Sequence, residues 1–461
     1  MPPSASFPAL TSHSSPEDLR HIQPFTGPVT ATVSVPGSKS YTNRALIAAA
    51  LANGHSTLHG ALFSDDTHWM TQGLTLLGIP TEGDEETATF QIDGQGGAIP
   101  TTSQSIFVGN SGTTARFLLP LATLGTGPYE IDGTAPMRKR PMGPLFSALR
   151  SLGARITPSA HPNCLPASIF SLPAAPPATF PQKKQQAGEA VRLHISAKSS
   201  SQFLTAILLA APVLANRLGT CEIRIETDRD PVSKPYLSLT LEVLRAFGID
   251  VENSDFYAFS VPGGQKYQPT TYEVEADASA ASYFFAAAAI TQSTVTVKGL
   301  GSTSLQGDLQ FVRILEKMGA NVKMTPTTTT VIGPEELCGI DIDMSDISDT
   351  AQTLAAIAPF ATTPTRLTGI GFIRGKETDR VAATVTELQR LGIDAREESD
   401  GMLILPGTPQ AGEVHTYEDH RMAMSFSLLG LRCPGIAIKN PSCVSKTFPA
   451  FFQTLDGIRP R

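Results

Sequence analysis

A chain of 461 residues, 41% of them hydrophobic and 17% charged, can bury two or three domain cores, which excludes a wholly disordered polymer. Its 35 basic residues are outnumbered by 42 acidic ones; the net charge of −7 excludes a general nucleic-acid binder and makes any anion site a local one. Five cysteines without a C-x-x-C pair indicate neither a zinc cluster nor a complete disulfide framework, and a reducing, cytoplasmic home is expected.

Residues 1–24 lack an apolar segment, and Glu17 and Asp18 do not suit an organelle transit peptide, so this stretch is expected to be a disordered tail. From there two phrases alternate along the chain. Ser40 opens the Ala-rich SKSYTNRALIAAALA, and LTLLGIPT ends an amphipathic pattern at Gly78. Ser111 opens NSGTTARFLLPLATL, and LRSLGARI follows with Gly153. Residues 157–190, rich in Pro and Ala and without helical or strand period, are expected to be a surface insertion. Ser201 then opens SSSQFLTAILLAAPVL, with LRAFGIDV and Gly248 after it. The Gly- and Pro-punctuated segment 263–282 is the expected crossover between lobes, a second hinge being expected near Pro36-Gly37. Ser279 opens DASAASYFFAAAAI, Asp349 opens SDTAQTLAAIAPFA and His420 opens DHRMAMSFSLLGL, followed by Gly319, Gly392 and, more faintly, Gly457.

Each glycine reads as the C′ residue of a helix, where positive φ is free, before a strand. Two independent phrases at one period predict six units of about 70 residues, an α/β protein of two lobes with three units each. Lobe one is expected to take 25–37 and 276–461, and lobe two 38–275. No window approaches the roughly 18 uninterrupted apolar residues of a membrane span.

The polar starts of the Ala-rich helices suit ordinary N-caps. What capping does not explain is the long cations placed there: Lys39 and Arg44, Arg116, and Arg421. A cation at the positive end of a helix is unfavourable by about 0.3–1 kcal/mol unless an anion is present. Further cations stand in APMRKRPMG (Arg138, Lys139, Arg140), in FIRGKETDRVAATV (Arg374, Lys376, Arg380) and in CVSKTFP (Lys446), with Asp349 and Glu377 as nearby acids. That inventory suits substrates bearing phosphate and carboxylate groups, with carboxylates to move protons. PGSKS is not a nucleotide-triphosphate loop, because Val33 and Ser38 stand where that motif needs glycine. GIGFIRG lacks dinucleotide-binding spacing. His420 suits a cap or core position as well as a site.

The phrases VPGSKSYTNRALIAAALA, GNSGTTARF, RKRPMGPL, SSSQFLTAILLAAP, VSKPY, DASAASYF, GKETDR, EDHRMAM and SKTFP, in this order from about 27 to 455, resemble the 5-enolpyruvylshikimate-3-phosphate synthase (3-phosphoshikimate 1-carboxyvinyltransferase) family. The resemblance implies a two-lobed inside-out α/β barrel, the enolpyruvyl transferase fold, built from six βαβαββ units and closing around its substrates. It implies transfer of the enolpyruvyl group of phosphoenolpyruvate to the 5-hydroxyl of shikimate 3-phosphate, through addition and then elimination of phosphate. No metal or organic cofactor, nucleic acid or membrane is implied, and a monomer is expected.

Residue by residue, the resemblance places Lys39, Ser40 and Arg44 on the shikimate ring substituents, with Lys39 also on phosphoenolpyruvate. It places Ser200, Ser201 and Ser233 on the shikimate phosphate and Gln202 between the substrates. Gly112, Arg140, Arg380, Arg421 and Lys446 line the phosphoenolpyruvate pocket. Asp349 takes the 5-hydroxyl proton, Lys376 meets the same ring, and Glu377, with Lys39 or Lys446, serves the methylene carbon.

The chain departs from the pattern at Phe372, where many members carry Asn, so no substrate contact is expected there. Phe117 stands where glyphosate-sensitive members often have Pro; Gly112 leaves room for that herbicide, and sensitivity is expected. The sister transferase acting on UDP-N-acetylglucosamine usually shows a Lys-Asn pair and a loop Cys, whereas Lys39-Ser40 stands here and 133–144 holds no Cys. A non-catalytic polyanion binder has no need of Asp349 and Glu377 among the cations.

Overall fold

The computed structural model describes residues 18–173, 190–228 and 231–460. The described strands form six small sheets, five of four strands and one of three. One unit shows the plan. Strand Gln104–Phe107 leads through helix Gly112–Leu124 to the parallel strand Tyr129–Asp132, then through helix Gly143–Ser151 to the antiparallel strands Ile156–Pro158 and Ala167–Ile169. A parallel pair needs such a helical crossover and an antiparallel pair only a turn, so the order is βαβαββ. The same plan recurs from Val191–His194 to Ala258–Pro262 and from Asp341–Asp343 to Gly401–Ile404.

Two units exchange their first strands. Thr30–Val33 pairs in parallel with Thr294–Lys298, and Thr271–Glu273 with Asn53–His59. The chain therefore crosses between halves twice, and the crossovers run side by side: Ser38 N–H donates to Glu275 O at 2.7 Å and Asp277 N–H to Pro36 O at 2.9 Å. A side chain at Gly37 would strike the Gly60 carbonyl, so only glycine lets the first crossover pass against the Gly60–Ala61 backbone.

The apolar core is divided in the same way. One cluster of buried residues runs from Tyr41 to Val274, and the other joins Ile22, Val33 and Val35 to residues between Ala278 and Ile458. Of the six repeat glycines, Gly78, Gly153, Gly248, Gly319 and Gly392 have positive φ, as the C′ reading requires. Gly457 instead closes the helix Phe451–Gly457 without it.

Two expectations are corrected. The end of the expected tail is ordered: Leu19–His21 pairs antiparallel with Ile436–Lys439 and completes the three-stranded sheet, and Ile22 fills the space left by the missing side chain of Gly430. The expected insertion contains Ala167–Ile169 and most of Ile156–Pro158, with Ala167 and Ile169 buried. Three-residue strands are too short to show alternation. Residues 1–17 and 174–189 of those two stretches lie outside the described residues. Among the described residues no helix is long and apolar enough to cross a membrane.

Candidate active site

The starts of the buried helices meet where the two halves face each other. From one half come helices Lys39–Leu51, Gly112–Leu124 and Gln202–Leu218; from the other come Ala278–Thr291, Ala351–Ile357 and His420–Gly430. Asp66 joins the halves, its two oxygens lying 3.6 Å from Lys39 Nζ and 3.2 Å from Lys446 Nζ. Next to it, the Ser445 hydroxyl donates to Asp65 at 2.6 Å.

Arg380 is the centre of the acidic groups. Its side chain is 2% exposed; its guanidinium reaches Glu377 at 2.8 Å, Asp349 at 3.3 Å and Asp419 at 2.8 Å. Arg421 Nη2 lies 2.7 Å from Asp349, and Asp419 fixes the start of the Arg421 helix by accepting from the Arg421 N–H. Two candidate proton-transfer carboxylates are thus held by one planar fork. Burial raises the Asp349 carboxyl, but Arg421 and Arg380 outweigh it and hold Asp349 well below the usual carboxylate range. Burial likewise raises Glu377, and Arg380, Arg140 and Lys446 hold it well below. Both are ionised at neutral pH.

Beside them lies a cationic pocket around the Asn110 loop. The Asn110 carbonyl accepts from Lys446 Nζ at 2.5 Å and from Arg140 at 3.4 Å, and both cations lie within 3.7 Å of Glu377. Gly112 opens its helix directly against Arg140, where an added Cβ would sit 2.6–2.8 Å from the guanidinium. Arg116, given no role from the sequence, donates to Gln202 Oε1 and stacks on Phe203 at 4.8 Å. Gln202 also donates to Thr113 at 3.3 Å, so it joins two helices at the pocket wall. Burial and Arg140 push Arg116 down to about 9, a cation without a bonded carboxylate.

Arg44 is buried on neutral partners only: Thr240 Oγ1 at 2.9 Å, Ser40 O at 2.9 Å and Tyr236 O at 3.2 Å. Phe117 lies fully buried beneath this guanidinium at 5.6 Å. Phe372 does the same for Lys376 at 5.6 Å, so the departure from Asn places a ring face against the ammonium. Burial pushes Lys376 down to about 8, with Asp349 opposing.

Ser200, Ser201 and Ser233 are buried at helix starts; Ser233 takes a left-handed conformation (φ 58°) immediately before helix Lys234–Ala246. His420 is fully buried, neither ring nitrogen has a hydrogen-bond partner, and burial with Arg421 and Lys39 keeps it neutral. Sequence reasoning missed Asp66, Tyr236, Asp308 and Asp419. Tyr236, three residues after Ser233, donates to Asp308 at 2.9 Å and lies 3.2 Å from Asp349. Fixed positive charge of this kind suits anions, and two ionised carboxylates beside it are suited to proton transfer.

The sequence model of the EPSP synthase (3-phosphoshikimate 1-carboxyvinyltransferase) family matches residues 25–455. The 3-phosphoshikimate 1-carboxyvinyltransferase of Trichormus variabilis is 44% identical over 425 residues, covering 92% of this chain and 95% of that protein. The chloroplastic 3-phosphoshikimate 1-carboxyvinyltransferase of Solanum lycopersicum is 42% identical over 93% of this chain and 82% of its own length. Among solved structures, EPSP synthase from Acinetobacter baumannii superposes with a TM-score of 0.76 at 27% identity, covering 96% of this chain and 98% of that one. The enolpyruvyl transferase NikO from Streptomyces tendae shares the fold at a TM-score of 0.69 and 15% identity.

Proposed function

Because the chain belongs to the EPSP synthase family, and so transfers the enolpyruvyl group of phosphoenolpyruvate to shikimate 3-phosphate with release of phosphate, we propose how its own residues divide that work. The observation that carries the reading is the Arg380 fork with Asp349 on one side and Glu377 on the other, at the junction of the halves.

Phosphoenolpyruvate takes the pocket of Lys39, Gly112, Arg140, Gln202, Arg380, Arg421 and Lys446, where fixed cations meet its phosphate and carboxylate. Shikimate 3-phosphate lies against Lys39, Ser40, Arg44, Gln202, Asp349 and Lys376, its phosphate on Ser200, Ser201 and Ser233. Arg44, buried without an acid partner, fits that use. Asp349, ionised throughout the neutral range, removes the 5-hydroxyl proton. Glu377 is a base in the free enzyme. It becomes a proton donor only when substrate anions occupy its three cations, with Lys39 or Lys446 sharing the methylene proton.

The two cores are the two lobes, 25–37 with 276–461 and 38–275, closing about the paired crossovers and shutting water out of the site. The five cysteines are unpaired, which suits the cytoplasm.

Two outcomes test the assignments. Gly112→Ala displaces the Arg140 guanidinium, whose atoms lie 2.6–2.8 Å from the added methyl group, and weakens its hold on a bound anion by about 1–3 kcal/mol. KM for phosphoenolpyruvate rises by roughly 5- to 150-fold while KM for shikimate 3-phosphate stays within a few-fold; equal rises for both place Arg140 elsewhere. Lys376, with its proton lost above about pH 8, no longer holds an anionic substrate. kcat/KM for shikimate 3-phosphate therefore falls as pH rises through about 8, and Lys376→Arg, which stays charged, removes that limb. A limb retained in Lys376→Arg assigns it to another group.

A further inference from the structure

The proton taken from the 5-hydroxyl has to be held somewhere until phosphate departs. Asp349, pulled down by Arg421 and Arg380 against the effect of burial, is a poor place to keep it. The Tyr236 hydroxyl stands between Asp349 Oδ2, at 3.2 Å, and Asp308 Oδ2, at 2.9 Å. Asp308 lies in the turn Gly307–Gln310, 4% exposed, and also accepts from the Ser279 hydroxyl. Its other oxygen is buried without a partner. A cavity of about 10 Å³, room for about one water, is lined by Ser40, Asp277, Ser279, Gln306 and Asp308. Tyr236 comes from one half of the molecule, and Asp308 and Asp349 from the other, so the chain of contacts exists only where the halves meet.

We propose that Asp308 stores the 5-hydroxyl proton, receiving it from Asp349 through the Tyr236 hydroxyl; this rests on Asp349 as the base. In the addition step the O–H bond of the 5-hydroxyl breaks as its oxygen bonds the central carbon of phosphoenolpyruvate, and the proton passes to Asp349. Asp349 then protonates the Tyr236 oxygen as the Tyr236 proton moves to Asp308. The methylene carbon gains one proton in addition and returns it in elimination. When the carbon–phosphate oxygen bond breaks, the stored proton returns by the same path and leaves on phosphate, so the sum is balanced.

The charges around the store favour this direction. Burial pushes Asp308 up to about 7, Asp349 adds to it and Arg421 opposes, while Asp277 lies beside Tyr236. Burial keeps Tyr236 from ionising, so it passes a proton without surrendering its own charge state. Below about pH 7 Asp308 already carries a proton and cannot accept another, so kcat falls as pH drops through that value.

The test is kcat against pH with Asp308→Asn, Tyr236→Phe and the double variant. Asp308→Asn lowers kcat by about 10- to 100-fold, leaves both KM values within about threefold and abolishes the acid limb near pH 7. Tyr236→Phe abolishes the same limb, and the double variant is no slower than the slower single one. A limb that persists in Asp308→Asn, or losses that multiply, overturns the store. Should Asp308→Asn fail to fold, infrared difference spectra of wild type mixed with both substrates decide it. A protonated-carboxyl band that is absent in Tyr236→Phe supports the store; no such band in wild type refutes it. Asp349→Ala tests the base separately: full activity there removes the premise, whereas an inactive Asp349→Ala beside an unaltered Asp308→Asn profile removes only the store.

Discussion

Asp349→Ala lowers kcat by about a thousandfold, the middle of the range for loss of a positioned proton-transfer group. Arg421 at 2.7 Å and Arg380 at 3.3 Å keep this carboxyl ionised across the working range, so it acts as the base that takes the hydroxyl proton and holds that proton only in passing. Its removal also frees the Arg421 guanidinium for an anionic ligand, while Arg380 keeps Glu377 and Asp419. KM for phosphoenolpyruvate therefore does not rise, while KM for shikimate 3-phosphate, which Asp349 also touches, rises with the loss of kcat. Single-turnover phosphate release with saturating substrates separates the two parameters. A kcat within tenfold of wild type means that another group takes the hydroxyl proton.

Arg380→Ala has the largest expected effect on the fold. The side chain is 2% exposed and is paired with Asp349, Glu377 and Asp419, the last with no exposed side-chain surface. Removing one partner of a buried charge pair typically costs about 3–5 kcal/mol, because the remaining charge stays desolvated. Denaturant unfolding of Arg380→Ala shows that loss in the half containing the second core, together with loss of turnover. Arg380→Lys keeps one charge but cannot span two carboxylates, and recovers stability in part while kcat stays low. An Arg380→Ala variant within about 1 kcal/mol of wild type contradicts the hub role.

Much of this was legible because some residues break local rules for no local reason. Lys39, Arg44, Arg116 and Arg421 stand at or near helix starts, where the backbone repels cations, so the sequence points to an anion. The acids that complete the site carry no such signal. Asp66 lies in the first turn of helix Asp65–Leu76 and Asp308 in the first turn of its 3₁₀ segment, where an acid is ordinary because the exposed N–H groups favour negative charge. Only the fold brings Asp66 to Lys446, or Asp308 to Tyr236. The repeat was readable from its glycines because positive φ at the end of a helix is a demand on one residue. The crossovers were readable from their Gly and Pro punctuation, but the strand pairings they produce were not, since Thr30–Val33 and Thr271–Glu273 find partners more than 200 residues away. Leu19–His21 escaped for want of length.

The central claim is that one junction binds two anions and moves protons between them. It is tested most directly by phosphate release from phosphoenolpyruvate with the purified chain, given either shikimate 3-phosphate or the UDP-linked amino sugar as acceptor. The account predicts release with shikimate 3-phosphate only, one phosphate for each enolpyruvyl ether formed. Release with the nucleotide sugar alone, or with neither acceptor, contradicts it.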